Sequence, residues 1–280
     1  MSKGLGACLV AFLLFVFPSP STLVSGQSVP DYEIYAIDYG CISDWDVSGM
    51  IQGVDSPMVV DICYMIWLIN DPEGRTILAD SGFLPDHPRM DAQDREAYIR
   101  PDHAVAKLGF APEDITDIII THLHWDHANG ISLFPNAHVW VQKAELEYYA
   151  TDAWQEGGDR RGVDRSTVVE FVELNTHGRV TLVDGDEQEI FEGITAYTGA
   201  RHSYASQYLG VETQEGTVIL ASDNVWFYAN LEMNLPNSLT FDPEGQLQAH
   251  ARMRGLAGKP EWIIPGHDGA VFDRFPNPVE

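Results

Sequence analysis

Residues 121–127 read THLHWDH, and this stretch decides the fold assignment because it holds three of the chain's ten histidines in six positions. Core packing gives no reason for such a cluster. Residues two apart on an extended chain face the same side, so His122 and His124 can reach one metal ion. The turn after them can direct Asp126 and His127 towards a second position. Neutral imidazole and carboxylate are ligands that zinc, iron and manganese accept, so the stretch predicts a metal site.

Three more residues of ligand type stand at predicted strand ends beside small residues. They are His202 in TGARHS (198–203), Asp223 in LASDN (220–224) and His267 in IPGHD (264–268). A single His or Asp in such a place is usually a satisfied polar residue. These three follow the cluster in an order that suits one shared site, so we interpret them as further ligands.

The segments around the cluster alternate between strand and helix patterns. The apolar run 62–69, the turn signal 71–74 and the run 76–79 predict a hairpin, and the branched residues 118–120 predict a buried strand leading into the cluster. Further strands are predicted at 137–141, 180–183, 189–197, 207–211, 217–221 and 262–264, and helices at 91–108, 143–150 and 246–256. The polar stretch 151–165 is interpreted as a cap over the site. Strands in two batches, each mixed with helices, predict an α+β fold with two sheets packed face to face and helices outside.

With these residues in place, the sequence resembles the metallo-β-lactamase-fold hydrolases from about residue 33 to 275. The family pattern is HxHxDH followed by a distant His, a distant Asp and a final His, and all seven are present in order. The resemblance implies a four-layer αββα sandwich with the site at one edge. It also implies two divalent metal ions, zinc with iron or manganese as alternatives. The first would be held by His122, His124 and His202, the second by Asp126, His127 and His267, with Asp223 bridging them.

Within the family, the bridging Asp223 and the stretch THLHWDHANG look most like the N-acyl-homoserine lactonases. The implied reaction is opening of a lactone or similar ester by a metal-bound hydroxide, with Asp126 as ligand and proton shuttle. Those lactonases commonly carry a Tyr three residues after the bridging Asp, where this chain has Trp226. Tyr228 and Tyr204 are the candidates to replace it.

Other activities share parts of this pattern. Thioester and β-lactam hydrolysis use the same fold and metals, because one fold hosts many chemistries. A mononuclear iron oxygenase is disfavoured because one iron needs only three protein ligands, and a non-catalytic metal-binding protein would usually have lost a ligand. The chain contains neither a GxSxG nucleophile elbow nor an HExxH zinc motif.

Composition limits the partners. The 280 residues carry 42 Asp plus Glu against 16 Lys plus Arg, a formal net charge of −26, which disfavours nucleic acid as a partner. Residues 1–26 read as a secretory signal peptide, and their apolar run of about eleven residues is shorter than the twenty or so that span a bilayer. We expect a secreted or periplasmic protein with one domain over 27–280 that acts on a small ester or lactone. Its oligomeric state stays open.

Several residues near the predicted ligands have two interpretations. Asp80 ends a strand and either caps the following turn, the interpretation we prefer, or hydrogen-bonds a ligand histidine. Cys41 and Cys63 are either buried small residues or a disulfide. A few aromatic residues are expected to wall an apolar pocket, and the candidates are Trp125, Phe134, Tyr204, Trp226, Phe227 and Tyr228. The isolated histidines 87, 103, 138, 177 and 250 are interpreted as surface or packing residues.

Overall fold

The computed structural model describes residues 32–71, 74–89 and 98–275. The predicted signal peptide and the first part of the predicted helix 91–108 lie outside these residues. Across the described ranges, no helix combines the length and the apolar character needed to cross a membrane.

The first sheet has six strands in sequence order. They are β1 (Glu33–Asp46), β2 (Val59–Asn70), β3 (Thr76–Ala79), β4 (Asp117–Ile120), β5 (His138–Gln142) and β6 (Val180–Val183). The pairs from β1 to β3 are antiparallel, and those from β3 to β6 are parallel. The predicted hairpin is present, with Trp67 opposite Ala79.

The second sheet has five strands in the order β11-β10-β9-β8-β7. They are β7 (Gln188–Phe191), β8 (Ile194–Thr198), β9 (Gln207–Thr213), β10 (Gly216–Ser222) and β11 (Ile263–Pro265). The predicted single strand 189–197 was wrong, because a turn at Gly193 (φ 76°) divides it into the hairpin β7–β8. Glycine adopts this positive φ without a steric penalty.

Alternation along the strands divides the apolar residues between two packing layers. On β4, Ile118 faces the outer helices whereas Ile119 faces the second sheet. On β10, Leu220 joins the layer between the sheets and Ile219 packs on the opposite outer face, against Met253. The described helices are α1 (Pro101–Lys107), α2 (Trp125–Ala128), α3 (Lys143–Ala150), α4 (Arg165–Thr176), α5 (Tyr228–Met233), α6 (Pro243–Leu256) and α7 (Ala270–Arg274). The result is helix, sheet, sheet, helix, so the predicted α+β sandwich is confirmed.

Cys41 and Cys63 face each other across β1 and β2 and form a disulfide. Of the two interpretations that the sequence allowed, buried small residues or a disulfide, the structure agrees with the disulfide. Antiparallel pairing brings directly opposite residues close enough for a bond between their side chains.

Candidate metal centre

The ligand-type residues of the HxHxDH stretch and of the second sheet come from the ends of four strands. The HxHxDH stretch follows β4, and His202 lies in the segment after β8. Asp223 comes directly after β10, and His267 follows β11. Because the two sheets pack face to face, these ends meet at one edge of the sandwich, as the sequence predicted.

Four of these residues form the first cluster, which comprises His122, His124, His202 and Asp223. All four are buried, and one potential ligand atom of each lies within 4.8 Å of the others. His202 Nε2 is 2.9 Å from His124 Nδ1 and 3.0 Å from Asp223 Oδ2. His124 therefore presents its Nδ1 to the cluster, whereas His202 presents Nε2.

The second cluster comprises Asp126, His127 and His267, also buried or nearly so. His127 Nε2 and His267 Nε2 lie 3.1 Å and 2.9 Å from Asp223 Oδ1. Asp223 thus directs Oδ2 at the first cluster and Oδ1 at the second. Its carboxylate spans both groups, which is the arrangement that a bridging ligand requires.

Unpaired polar atoms show that these residues suit bound cations. Among the described residues, His122 Nε2, His127 Nε2 and Asp223 Oδ1 are buried and make no hydrogen bond of suitable geometry, although His127 Nε2 and His267 Nε2 both lie close to Asp223 Oδ1. A buried polar atom left unpaired costs free energy, and a divalent cation would satisfy all three. Imidazole nitrogens and carboxylates in two adjacent groups match the donor set of a two-metal site.

The protonation preferences differ between the clusters. Burial lowers the pKa of His122 and of His124 well below the usual value, so both are neutral and able to bind a metal. Burial also disfavours the charged form of His127 and His267, but nearby carboxylates, Asp223 first, outweigh it and raise both pKa values. Protons and cations compete for these nitrogens, so acid pH should weaken metal binding at the second cluster first.

Asp80 supports the histidine ligands from behind. Its Oδ2 accepts a hydrogen bond from His127 Nδ1 (2.8 Å), and its Oδ1 accepts one from the backbone N–H of Thr121 (2.7 Å). Thr121 Oγ1 lies 3.0 Å from His122 Nδ1. Of the two interpretations given above, contact with a ligand histidine is therefore correct for Asp80. It fixes the tautomer of His127, whose Nε2 then faces the cluster.

Glu145, which the sequence interpretation missed, joins the two loops of the first cluster. This fully buried residue of α3 accepts hydrogen bonds from the backbone N–H groups of Leu123 (3.0 Å) and Ala205 (2.5 Å) and from Ser203 Oγ (2.6 Å). Leu123 lies between two of the histidines, and Ser203 follows His202. No sequence motif marks Glu145; only a charged residue on the buried face of α3 could have drawn attention to it.

A cavity of about 520 Å³ opens above both clusters. Its apolar side is formed by Ile42, Trp45, Met50, Ile62 and Leu239. Of the aromatic residues proposed from the sequence, Trp125 and Trp226 line it, and Phe134 and Phe227 are buried in the core instead. Tyr64 of β2 also lines the cavity, with its ring edge-on to His267. The predicted cap contributes Arg161 and Gly162.

The structure does not bring either candidate replacement tyrosine to the cavity. Tyr204 stacks on Tyr148, with ring centroids 3.8 Å apart. Tyr228 packs in the layer between the sheets with Arg274 over its ring. Both tyrosines follow a ligand closely in sequence, but the chain turns them away from the site. The assignment of Tyr204 and Tyr228 as catalytic is therefore corrected.

Trp226 has a different role from the one a tyrosine would have. Its indole Nε1 donates a hydrogen bond to Asp223 Oδ2 (2.7 Å), the oxygen that faces the first cluster. The ring also lies edge-on to His202, at 5.4 Å between centroids. Trp226 therefore orients the carboxylate that spans the clusters while it forms part of the cavity wall.

Comparison with known proteins agrees with this geometry. The sequence profile of the metallo-beta-lactamase superfamily matches residues 63–267. The chain is 31% identical to the N-acyl homoserine lactonase AiiA of Bacillus thuringiensis subsp. kurstaki over 183 residues, and this segment spans 65% of each protein. The N-acyl homoserine lactonase AttM of Agrobacterium fabrum is 44% identical over 54 residues, 19% of this chain and 20% of that protein.

A solved structure extends the similarity over the whole sandwich. A mutant of B. thuringiensis AiiA, crystallised with N-decanoyl-L-homoserine at its active site, superposes with a TM-score of 0.68 and 25% identity, covering 90% of this chain and all of that one. The profile, the relatives and the site geometry thus agree on the resemblance that the seven ligand-type residues predicted. The chain belongs to the metallo-beta-lactamase superfamily and is similar to N-acyl homoserine lactonases within it.

Proposed function

We propose that this protein is a metal-dependent hydrolase that opens the lactone ring of N-acyl homoserine lactones. The observation that carries the proposal is Asp223, whose two carboxylate oxygens each face one of two buried ligand clusters at the base of a cavity. The relatives named as N-acyl homoserine lactonases support the same substrate class.

The cavity fits an acylated lactone in size and in character. Its volume of about 520 Å³ lies within the range of small-molecule sites. The apolar side formed by Ile42, Trp45, Met50, Ile62 and Leu239 would take the acyl chain. The lactone carbonyl would then lie over the clusters.

The chain's own residues orient the reaction and move a proton. When bound, two divalent cations would lower the pKa of a water molecule and polarise the lactone carbonyl. Asp126 Oδ2 lies 3.7 Å from Nε2 of both His127 and His267, and its carboxylate is 12% exposed towards the cavity. We expect Asp126 to take the proton of the attacking water and give it to the leaving alkoxide oxygen. Tyr39 donates its hydroxyl to the backbone carbonyl of Asp126 (2.6 Å) and so fixes this segment.

Zinc is the metal we propose for both clusters, because neutral imidazoles and carboxylates in a compact set suit it. Elemental analysis of the purified protein tests this. Two zinc ions per chain are expected, whereas iron or manganese at that stoichiometry would overturn the choice of metal and leave the reaction open.

Export is part of the proposal. The Cys41–Cys63 disulfide supports an oxidising compartment, which fits a signal peptide over residues 1–26 and a secreted or periplasmic protein. N-terminal sequencing of the protein from cell fractions tests this. A chain that starts near residue 27 outside the cytoplasm is expected, and uncut protein retained in the cytoplasm would contradict it.

Ring opening of N-hexanoyl- and N-decanoyl-homoserine lactone, followed by proton release, tests the reaction. The metal-loaded protein should turn over both, and Asp223→Ala should lose turnover together with metal. Asp184→Ala is the matched control, because Asp184 pairs with Lys143 on the surface. No turnover by a protein that holds two metals would refute the lactonase proposal and direct the search to thioesters and β-lactams.

A further inference from the structure

Two arginines line the cavity in a chain that is otherwise strongly acidic. They are Arg89, in the loop after β3, and Arg161, in the segment before α4. The chain has only 16 Lys plus Arg against 42 Asp plus Glu. Two guanidinium groups at one cavity therefore give it a local positive charge in a protein whose net charge is negative. Neither arginine belongs to the ligand clusters.

The loops that carry these arginines are held against the site. His87, two residues before Arg89, forms a hydrogen bond to Asp164 near the start of α4. The His87 ring also stacks on Trp125 of α2 at 4.5 Å. Gly162, next to Arg161, lies so close to His124 that an added Cβ would meet the imidazole at 2.5 Å. Both arginines consequently flank the His124 side of the first cluster.

The positive charge at Arg89 has no carboxylate partner in the part of the chain that the structure describes. The hydrogen bond found for Arg89 there runs from its backbone N–H to His87 Nδ1, and leaves the guanidinium free for a ligand. Arg161 is paired with Asp159 through Nε and one terminal nitrogen. The Arg161 side chain is 61% exposed and that of Asp159 28%, so solvent screens this pair, and the guanidinium keeps N–H donors that the pair does not use.

The cavity lining thus combines two chemistries. Its apolar side is formed by Ile42, Trp45, Met50, Ile62 and Leu239, and the same lining includes the charged Arg89 and Arg161. A neutral acyl lactone offers the guanidinium groups only neutral carbonyl oxygens, which form weaker hydrogen bonds than a carboxylate does. Guanidinium binds carboxylate through paired, charge-assisted hydrogen bonds, so a carboxylate on the substrate would engage the two arginines more strongly.

We propose that the preferred substrate is a lactone whose acyl part carries a carboxylate, which Arg89 and Arg161 bind while the ring lies at the clusters. The proposal rests on the lactonase function and narrows its substrate class. It predicts that the enzyme distinguishes two acyl chains of equal length by the charge at their far end.

The test compares N-adipoyl- with N-hexanoyl-homoserine lactone, which differ by a terminal carboxylate on a six-carbon chain. The metal-loaded wild-type protein should open the adipoyl lactone with a kcat/KM about tenfold higher at low salt, an advantage that shrinks as salt screens the charges. Arg89→Met should remove most of this preference through KM, and Arg89→Lys should restore part of it.

Arg160→Met is the matched control. Arg160 neighbours Arg161, but its guanidinium lies over the Trp154 ring and does not line the cavity. The ratio of the two kcat/KM values should therefore stay at the wild-type level. Equal use of both lactones by the wild-type protein, or an Arg89→Met variant with an unchanged ratio, overturns the proposal.

Failure of the lactonase function would be seen separately, as no ring opening of either lactone. The unreacted lactones are then titrated into the metal-loaded protein by calorimetry. Tighter binding of the adipoyl compound that is lost in Arg89→Met supports the anion site, and equal or absent binding of the two compounds overturns it.

Discussion

The histidines of the HxHxDH stretch and those of the second sheet are oriented by different means. His127 donates to the Asp80 carboxylate, and His122 contacts Thr121, which Asp80 also binds. His202 and His267 instead donate to backbone carbonyls, those of Leu239 (2.9 Å) and Cys63 (3.0 Å).

This difference predicts which part of the site a single substitution can disrupt. A side chain that orients a ligand can be changed singly, and a charged acceptor makes a stronger hydrogen bond than a neutral one. A backbone carbonyl is present whatever residue carries it. The orientation of a histidine that donates to such a carbonyl therefore depends on the position of the backbone segment and not on the type of side chain. We therefore expect the HxHxDH side to be sensitive to single substitutions and the second-sheet side to tolerate them.

The largest effect is expected for Asp80→Asn. Asparagine keeps the size and tolerates the positive φ of 65°, but it loses the charge that holds His127 and Thr121. Metal affinity should fall about 10- to 100-fold, with turnover following. Chelator competition measures it. The control is Asp117→Asn, because Asp117 begins β4 and lies at the end of that strand away from the clusters. Equal losses of metal affinity in both variants would contradict a role specific to Asp80.

The next largest effect is expected for Glu145→Gln, because an amide replaces a carboxylate that accepts three hydrogen bonds. The amide nitrogen cannot accept from a backbone N–H, so one buried donor loses its partner. We expect a loss of about 2 kcal/mol in the free energy of unfolding and weaker metal binding at the first cluster. Thermal unfolding with and without metal measures both. The exposed Glu147→Gln on the same helix is the control, and indistinguishable behaviour of the two variants would refute the role.

Trp226→Phe should have a smaller and one-sided effect. It removes the donor to Asp223 Oδ2 and leaves Oδ1 untouched, so affinity should fall by about tenfold or less at the first cluster alone. Stepwise metal titration separates the two sites. Trp154→Phe, whose indole bonds the Tyr149 carbonyl away from the site, is the control. A loss shared equally by both sites would contradict this account.

The smallest effect on the metals is expected from replacing both Cys41 and Cys63 by serine. The Cys63 backbone N–H donates to the His267 carbonyl and the Cys63 carbonyl accepts from His267 Nδ1, and neither hydrogen bond requires the disulfide. Metal affinity should stay within a factor of about two, although stability should fall by about 2–3 kcal/mol. Metal content and thermal unfolding are the readouts. Loss of metal in this variant would show that the backbone-oriented side is as sensitive as the other.

Much of the fold and all seven ligand-type residues could be predicted from the sequence. Strand ends follow from short apolar runs, and a ligand cluster is recognised because packing does not explain it. The prediction of a catalytic role for Tyr204 and Tyr228 was wrong, because closeness in sequence to a ligand does not fix where a side chain points. Arg89 and Tyr64 carried no local signal, Arg161 was covered only by the predicted cap 151–165, and Glu145 was marked only by its charge on the buried face of α3.

The sequence by itself determined which residues offer nitrogen and oxygen ligands and that they stand at strand ends, because residue type and alternation are local properties. Only the tertiary structure decided that Asp223 directs one oxygen at each cluster, that Asp80 and Glu145 support the ligand loops, and that Cys41 lies opposite Cys63. Each of these depends on contacts between segments far apart in the chain, which form only when the two sheets pack.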